Sequence, residues 1–536
     1  MMRISKLTTL ALVFLSLCLC LTGMATAAQT EESGSGDRIA KLTIGTINQI
    51  NDANPWDYYF GVYSMMLSHQ GLVRFNKNGD LNPELATSWE TEDLQKWTFH
   101  LRDNATWHDG KPVTAQDFKF TVDYDLEKDP LSKSYIGTIE SVEAPDDKTV
   151  IINLVKPDYN FLTTISVVKT IPEHIFKSVD DPKKFNDLEA AIGCGPYKFD
   201  SFDKDAGIVT YQANENYWGG MPAIDTIQLR IFKNPDAMML AFQKGEIDLP
   251  YYYSKGISYY YVPKLLDNDD IGIEVYPERG ITNVLWFNTA VSPFDDKELR
   301  QALSYALDYE ELRNMFTAGY GTTPSAGWIP DGTLYFTETK TLAQDLNLSG
   351  SILDSLGFKD VDGDGLREMP DGDKFQPKLL TRSDLPDSVR AAEMLEKYFA
   401  QAGVDIQIDL ADKSTHGEIL DEKKTHEMAL AGTTFWGMMM GEGYGSGYSD
   451  TRYYGWSMVS DPRYQSLVDD LGRTQDTEER KELAAEIQSY YAEEMPQFAV
   501  YSMNIIQPYN ARLEGWEYNP LHGILSYGTL FNLHRA

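Results

Sequence analysis

One stretch constrains the fold more than any other. Residues 81–120 read LNPELATSWETEDLQKWTFHLRDNATWHDGKPVTAQDFKF. Trp97, Phe99 and Leu101 alternate with polar residues at the strand period of two. Asp109-Gly110 supplies a tight turn that needs positive φ. Thr114 then stands three residues before Asp117, the spacing of a near-match to a capping box. The stretch therefore predicts a proline-started turn, a short strand, a second strand, a Gly turn and a helix.

The same residues carry a resemblance. Pro83-x-Leu85-Ala86-x-Ser88-Trp89, Phe99-x-Leu101-Arg102 and Asp109-Gly110-x-Pro112-x-x-Ala115-x-Asp117 fall in that order. The order resembles the signature of the extracytoplasmic solute-binding proteins of family 5, the peptide/nickel class of ABC importers. Ile171-Pro172-Glu173-His174 matches a further family segment, with His174 expected to be a satisfied structural histidine. Gly193-Cys194-Gly195-Pro196-Tyr197 resembles the family's Gly-Thr-Gly-Pro-Tyr turn, with Cys194 in place of Thr. Segments 214–220 and 237–248 match as well, so the resemblance covers nearly all of the mature chain. It implies an α/β, two-lobed periplasmic-binding-protein-like fold (class II), with mixed sheets and a hinge of two crossing strands.

Length agrees with more than one body, since 536 residues exceed what one core holds. The chain has 32 Tyr, 23 Phe and 10 Trp, which suit either a well-filled core or a wet aromatic cleft. A net charge of -34 repels phosphate backbones and argues against nucleic-acid binding. At the N-terminus, Arg3 and Lys6 precede an apolar run over 7–21, and Ala25-Thr26-Ala27 is a small-x-small site. Residues 1–27 thus read as a secretory signal cleaved after Ala27, with no small residue before Cys18 or Cys20 for a lipid anchor. Removal of that signal takes two of the three cysteines and leaves Cys194 alone, expected as a buried small hydrophobe. The mature protein is expected outside the cytoplasm, periplasmic or at the cell surface.

Residues 28–37 read as a flexible leader, and the first strand is expected from Leu42. Asp295 is expected to cap a helix whose face is Leu299, Ala302, Leu303, Ala306 and Leu307. Beyond it, 378–381 reads as strand, 389–402 as amphipathic helix closed by Gly403, and 404–410 and 428–434 as strands. That order predicts a mixed α/β lobe. By resemblance, 284–288 and 498–502 are the crossing strands, and lobes are expected at 38–284 plus 500–536 and at 285–499.

Catalytic signatures are missing: no Gly-x-Ser-x-Gly elbow, no phosphate loop, and His426-Glu427 lacks a second histidine. The glycines of 441–448 miss dinucleotide spacing and suggest a binding loop. Asp360, Asp362 and Asp364, with Asp371 at the twelfth position, match calcium-loop spacing, or else form a charged turn. No other cofactor is expected. Asn104-Ala105-Thr106 and Asn347-Leu348-Ser349 are glycosylation sequons.

The resemblance places Trp56, Tyr58, Tyr59 and Phe60 on the first-lobe side of a ligand cleft. It puts Arg382 where peptide-binding members hold a carboxylate, which a guanidinium does with two parallel hydrogen bonds. Trp436 matches the second-lobe wall, and Tyr444, Arg452, Tyr453 and Tyr454 lie in or after the glycine loop. Dipeptide-binding relatives carry an Asp shortly after that Trp, whereas here Met438-Met439-Met440-Gly441-Glu442 intervenes, which speaks against a free α-amine. The expected protein is a monomer, not an enzyme, that captures an oligopeptide-like solute and delivers it to an ABC permease in the membrane. Other readings are a nickel-chelate or oligosaccharide binder of the same family, or a secreted hydrolase with an acidic pair in the cleft.

Overall fold

The computed structural model describes residues 38–536, apart from 78–79, 130–131, 134–135, 254–255, 278–279, 282, 332, 434–443, 445–454 and 520. Two five-stranded mixed sheets organise it. In the first, Ile39–Thr46 lies between Leu249–Pro250 and Ile224–Ile231, parallel to both. Ile208–Ala213 and Tyr197–Asp203 continue it antiparallel. The central strand is buried without alternation from Leu42 to Thr46, as a strand covered on both faces must be. Leu42, Ile44, Ile227 and Leu229 pack with Phe60, Tyr63 and Leu67 of the helix Tyr58–Leu67. Ile524, Leu530 and Leu533 join the same core, so the C-terminal tail returns to this lobe.

The 81–120 stretch supplies two strands of a separate antiparallel sheet on this lobe, in the order Ala86–Thr91, Lys96–Leu101, Thr149–Leu154, Ile139–Asp146. Trp97, Phe99 and Leu101 point into its core, against Phe118 and Val122 of the helix Ala115–Lys128. The capping box is present in full: the Asp117 amide donates to Thr114 Oγ1 at 3.4 Å, and the Thr114 amide donates to Asp117 Oδ2 at 2.9 Å. Gly193 and Gly195 have a steric reason. A Cβ on Gly193 would sit 1.9 Å from the Ser68 carbonyl oxygen, and the Gly195 amide donates to that same oxygen at 2.8 Å. Cys194 is buried beside Leu85, Trp107 and Val113, and burial pushes its thiol well above its ordinary value. His174 Nε2 meets Asp109 Oδ2 at 2.8 Å, a satisfied surface pair.

The second lobe carries the other five-stranded sheet, ordered Gln407–Ala411, Lys378–Arg382, Met428–Ala431, Val284–Phe287, Gln497–Ala499. Its first three strands are parallel and the last two antiparallel to their neighbours. The helix Pro386–Gln401 covers one face through Ala391, Ala392, Leu395 and Phe399, starting three residues earlier than its apolar face alone implies because Pro386 suits the first turn. Gly403 closes it at φ 80°. The helix Lys297–Ala306 is capped by Asp296, not Asp295. Asp296 has extended backbone, and its Oδ1 accepts the amides of Glu298 at 2.8 Å and Leu299 at 3.4 Å.

The lobes are joined through a ribbon. Ile271–Pro277 pairs antiparallel with Asn504–Asn510 on the first-lobe side. Val284–Phe287 then pairs with Gln497–Ala499 inside the second-lobe sheet. The first expected crossing strand therefore belongs to the second lobe's core, where Leu285 and Phe287 face one side and Trp286 the other, while 500–502 of the second lie in the passage. The passage itself lies between Pro277 and Val284, and between Ala499 and Asn504.

Candidate functional site

The carboxyl ends of the parallel strands Lys378–Arg382 and Met428–Ala431 point toward this passage, the end of an open α/β sheet where ligands bind. Just beyond Ala431, the Thr433 amide donates to the Ile281 carbonyl at 2.8 Å, and the Ile281 amide donates to Thr433 Oγ1 at 2.9 Å. Asn283 Nδ2 donates to the Tyr501 hydroxyl at 2.7 Å, and Ser388 Oγ donates to Asn283 Oδ1 at 2.8 Å. Of the passage residues, Ile281 and Asn283 are thus held by the second-lobe side chains of Thr433 and Ser388, next to the sheet edge from which the chain leaves.

On the hinge side a second contact ties the lobes. Tyr259 stacks on Tyr320 at 6.0 Å with rings within 3° of parallel. The Tyr259 hydroxyl donates to the Asn504 carbonyl at 2.6 Å and accepts the Asn504 amide at 2.9 Å. Thr322 and Ser502 exchange backbone hydrogen bonds beside it.

The aromatic loop of the first lobe is preorganised by polar groups. Asn54 Nδ2 donates to the carbonyls of Pro182 and Phe185, and Asn54 Oδ1 accepts the Trp56 amide at 2.8 Å. Asp57 caps the helix Tyr58–Leu67 by accepting the Phe60 amide at 3.1 Å. Its aromatics do not act as one wall. Trp56 packs against Phe176 at 5.1 Å and Tyr124 at 5.8 Å. Phe60 has no exposed surface and sits against Phe199 and Tyr211, so it is a core residue rather than cleft lining. Tyr58, 58% exposed, and the half-buried Tyr59 lie edge to face at 5.0 Å and present surface, as does the half-buried Trp56.

On the second lobe Arg382 ends its strand as expected, but its fork is occupied. Nε donates to Asp384 Oδ1 at 2.9 Å and Nη2 to Asp384 Oδ2, which holds Asp384 below the usual carboxylate range. Tyr444 is also a core residue. Its hydroxyl donates to the Leu334 carbonyl, and its own carbonyl accepts the hydroxyls of Tyr464 at 2.9 Å and Tyr491 at 3.0 Å. Trp436, Arg452, Tyr453, Tyr454 and Glu442 lie outside the described residues.

Asp360, Asp362 and Asp364 converge, with ligand atoms within 4.8 Å of one another on an exposed loop. Asp371 does not join them; it accepts the Asp373 amide at 3.2 Å instead. The reason is a tight hairpin, in which Lys359 and Lys374 each bridge to Glu368. Asp360 already accepts the amides of Gly363 and Gly365, and Asp364 faces the Lys374 ammonium at 3.4 Å.

A contact that residue patterns did not single out joins the lobes away from the hinge. Tyr159 and Asn160, just after the strand Thr149–Leu154, meet Gly472 and Arg480 of the second lobe. The signal was available. In the helix Thr477–Glu494, Arg480 stands four, seven and eleven residues before the buried Ala484, Ile487 and Tyr491, a charge inside an apolar stripe.

The bacterial extracellular solute-binding protein family 5 model matches residues 80–455. A Brucella ovis protein named as an ABC transporter peptide-binding protein is 28% identical over 346 residues, 63% of this chain and 62% of the relative. The chain therefore spans about three fifths of the length of that relative. The dipeptide-binding protein DppE of Bacillus subtilis is 25% identical over 97% of this chain and 98% of its own. The solved structure of the ABC transporter substrate-binding protein CtaP from Listeria monocytogenes superposes with a TM-score of 0.74 at 26% identity, covering 93% of this chain and 99% of that one. With two mixed sheets on a double passage and a family match over most of its length, the chain belongs to the bacterial extracellular solute-binding proteins, family 5.

Proposed function

We propose that this chain captures an oligopeptide-like solute between lobes 38–284 plus 500–536 and 285–499, and delivers it intact to an ABC permease. The observation that carries this reading is the hinge. Among the described residues, two separately cored sheets are linked by two chain passages, so they can rotate as rigid bodies. A solute touching both lobes binds the closed form better, and that difference in affinity drives closure. The names of the Brucella and Bacillus relatives support a peptide as the solute. Tyr58 and Tyr59, with the second-lobe segment holding Trp436, Arg452, Tyr453 and Tyr454, are the proposed contacts.

Residues 1–27 are proposed to act as a cleaved export signal, which N-terminal sequencing of the mature protein would test. No helix among the described residues is long and apolar enough to cross a membrane. The acidic loop reads best as a charged turn, because its carboxylates already answer backbone amides and Lys374. An unchanged melting temperature on adding calcium fits that reading.

The deciding experiment is native mass spectrometry of protein purified from its own cells without refolding. A retained mass matching short peptides, and contraction in solution scattering when those peptides return, are expected. A retained nickel chelate or sugar would reassign the solute. Cleavage of added peptides or glycans by the pure protein would replace binding with hydrolysis.

A further inference from the structure

We propose that Arg480, with Tyr159 and Asn160, forms a clasp at the rim of the cleft that sets how far the lobes stay closed without solute. Arg480 is 3% exposed, in the first turn of the helix Thr477–Glu494. Its Nη1 donates to the carbonyls of Leu471 and Thr474, closing the end of the helix Pro462–Arg473 within its own lobe. Its charge also acts on Asp158 across the gap and on Tyr444 within its own lobe. Its Cζ stands 3.6 Å from the centre of the Tyr159 ring, and Nη2 donates to Asn160 Oδ1 at 3.3 Å. The Tyr159 amide donates to the Gly472 carbonyl at 3.1 Å, and Tyr335 of the second lobe flanks the guanidinium at 5.5 Å. Among the described residues, the buried Arg480 Nε has no hydrogen-bond partner.

The physics follows from that half-satisfied cation. Among the described residues of its own lobe, Arg480 finds hydrogen-bond acceptors for Nη1 only. A buried guanidinium needs the rest of its charge answered, and the Tyr159 ring face and the Asn160 carbonyl oxygen do so from the first lobe. Opening the lobes exchanges these groups for water at a modest net cost, so the clasp favours closure and is still reversible. The trade involves no solute. It shifts the closed fraction, and the apparent affinity for every solute scales with that fraction. Arg480 is therefore a positioning residue, and discrimination between solutes lies elsewhere. The effect on release rests on the closure reading above; the effect on the lobes does not.

The test uses the full mature chain carrying Tyr159→Ala and Asn160→Ala, with Asn160→Ala alone as the milder variant. Asn160 precedes a short helix without capping it through its side chain, and Arg480 keeps its helix-end contacts. Near-ultraviolet circular dichroism verifies the fold. Without solute, the double variant is expected to scatter as a larger particle. The amide of residue 159, bonded to the Gly472 carbonyl in the wild type, is expected to exchange at the rate of an open loop. Peptides from a defined pool of three to nine residues that bind the wild type should leave about tenfold faster, by a common factor. Unchanged scattering and exchange in a folded double variant overturns the clasp. Loss confined to some peptides also overturns it, because it makes Tyr159 and Asn160 solute contacts. If no peptide binds while the variant expands, the clasp stands and the peptide reading falls.

Discussion

At the residue scale, the charge at Arg382 is decided by a neighbour two positions away. Asp384 takes both donors that a ligand carboxylate would use, on a pair whose side chains are 26% and 50% exposed. Such an exposed pair is worth little, so a carboxylate can displace it at small cost. Asp384→Ala is expected to tighten peptides with a free C-terminal carboxylate about fivefold relative to their amides. Paired titrations of acid and amide by calorimetry would show this, and equal changes in both would count against it. Buried histidines set the acid limit. Burial, with the Lys169 charge second, holds His522 down to about 3. Burial likewise takes His69 to about 3 and His108 and His426 to about 4. Each takes up its proton more readily when unfolded, near 6.5. Their contribution to stability is therefore complete above about pH 6.5 and lost as pH falls toward about 4 for His108 and His426 and about 3 for His69 and His522. Melting temperature is expected to drop across that window, and His522→Gln to flatten the drop.

At the scale of elements, capping chemistry is testable because two adjacent acids compete for one role. Asp296→Ala should destabilise the second lobe by about 1 kcal/mol through loss of the cap on Lys297–Ala306. Asp295→Ala should stay within about 0.5 kcal/mol. Urea denaturation of the two variants side by side distinguishes them. Local units of this kind were legible in the sequence. The alternation of Trp97, Phe99 and Leu101 and the Thr114–Asp117 box lie within a few residues of one another, and the structure reproduces both. The second-lobe order of strand, helix, strand and strand was legible for the same reason. Which chain stretch crosses between lobes was not. Val284–Phe287 is an apolar run that looks alike whether it spans a gap or lies in a sheet.

At the scale of the whole molecule, a charge of -34 means that the folded chain carries self-repulsion. Raising salt from about 0.01 M to about 0.15 M shortens the Debye length from about 30 Å to about 8 Å. Melting temperature is therefore expected to rise across that range, as calorimetry would record, and a fall would mean that surface ion pairs outweigh repulsion.

By itself the sequence determined the family, the multi-body architecture and most local elements, because periodicity, turn residues and caps act between near neighbours. It did not determine which aromatic lines a cleft. Phe60 and Tyr58 are two residues apart in one helix, yet one is sealed in the core and the other is exposed. Nor did it pair Arg480 with Asn160, which lie 320 positions apart. Burial and cross-lobe partnership depend on which surfaces meet after the chain has folded, and no short-range pattern encodes that meeting.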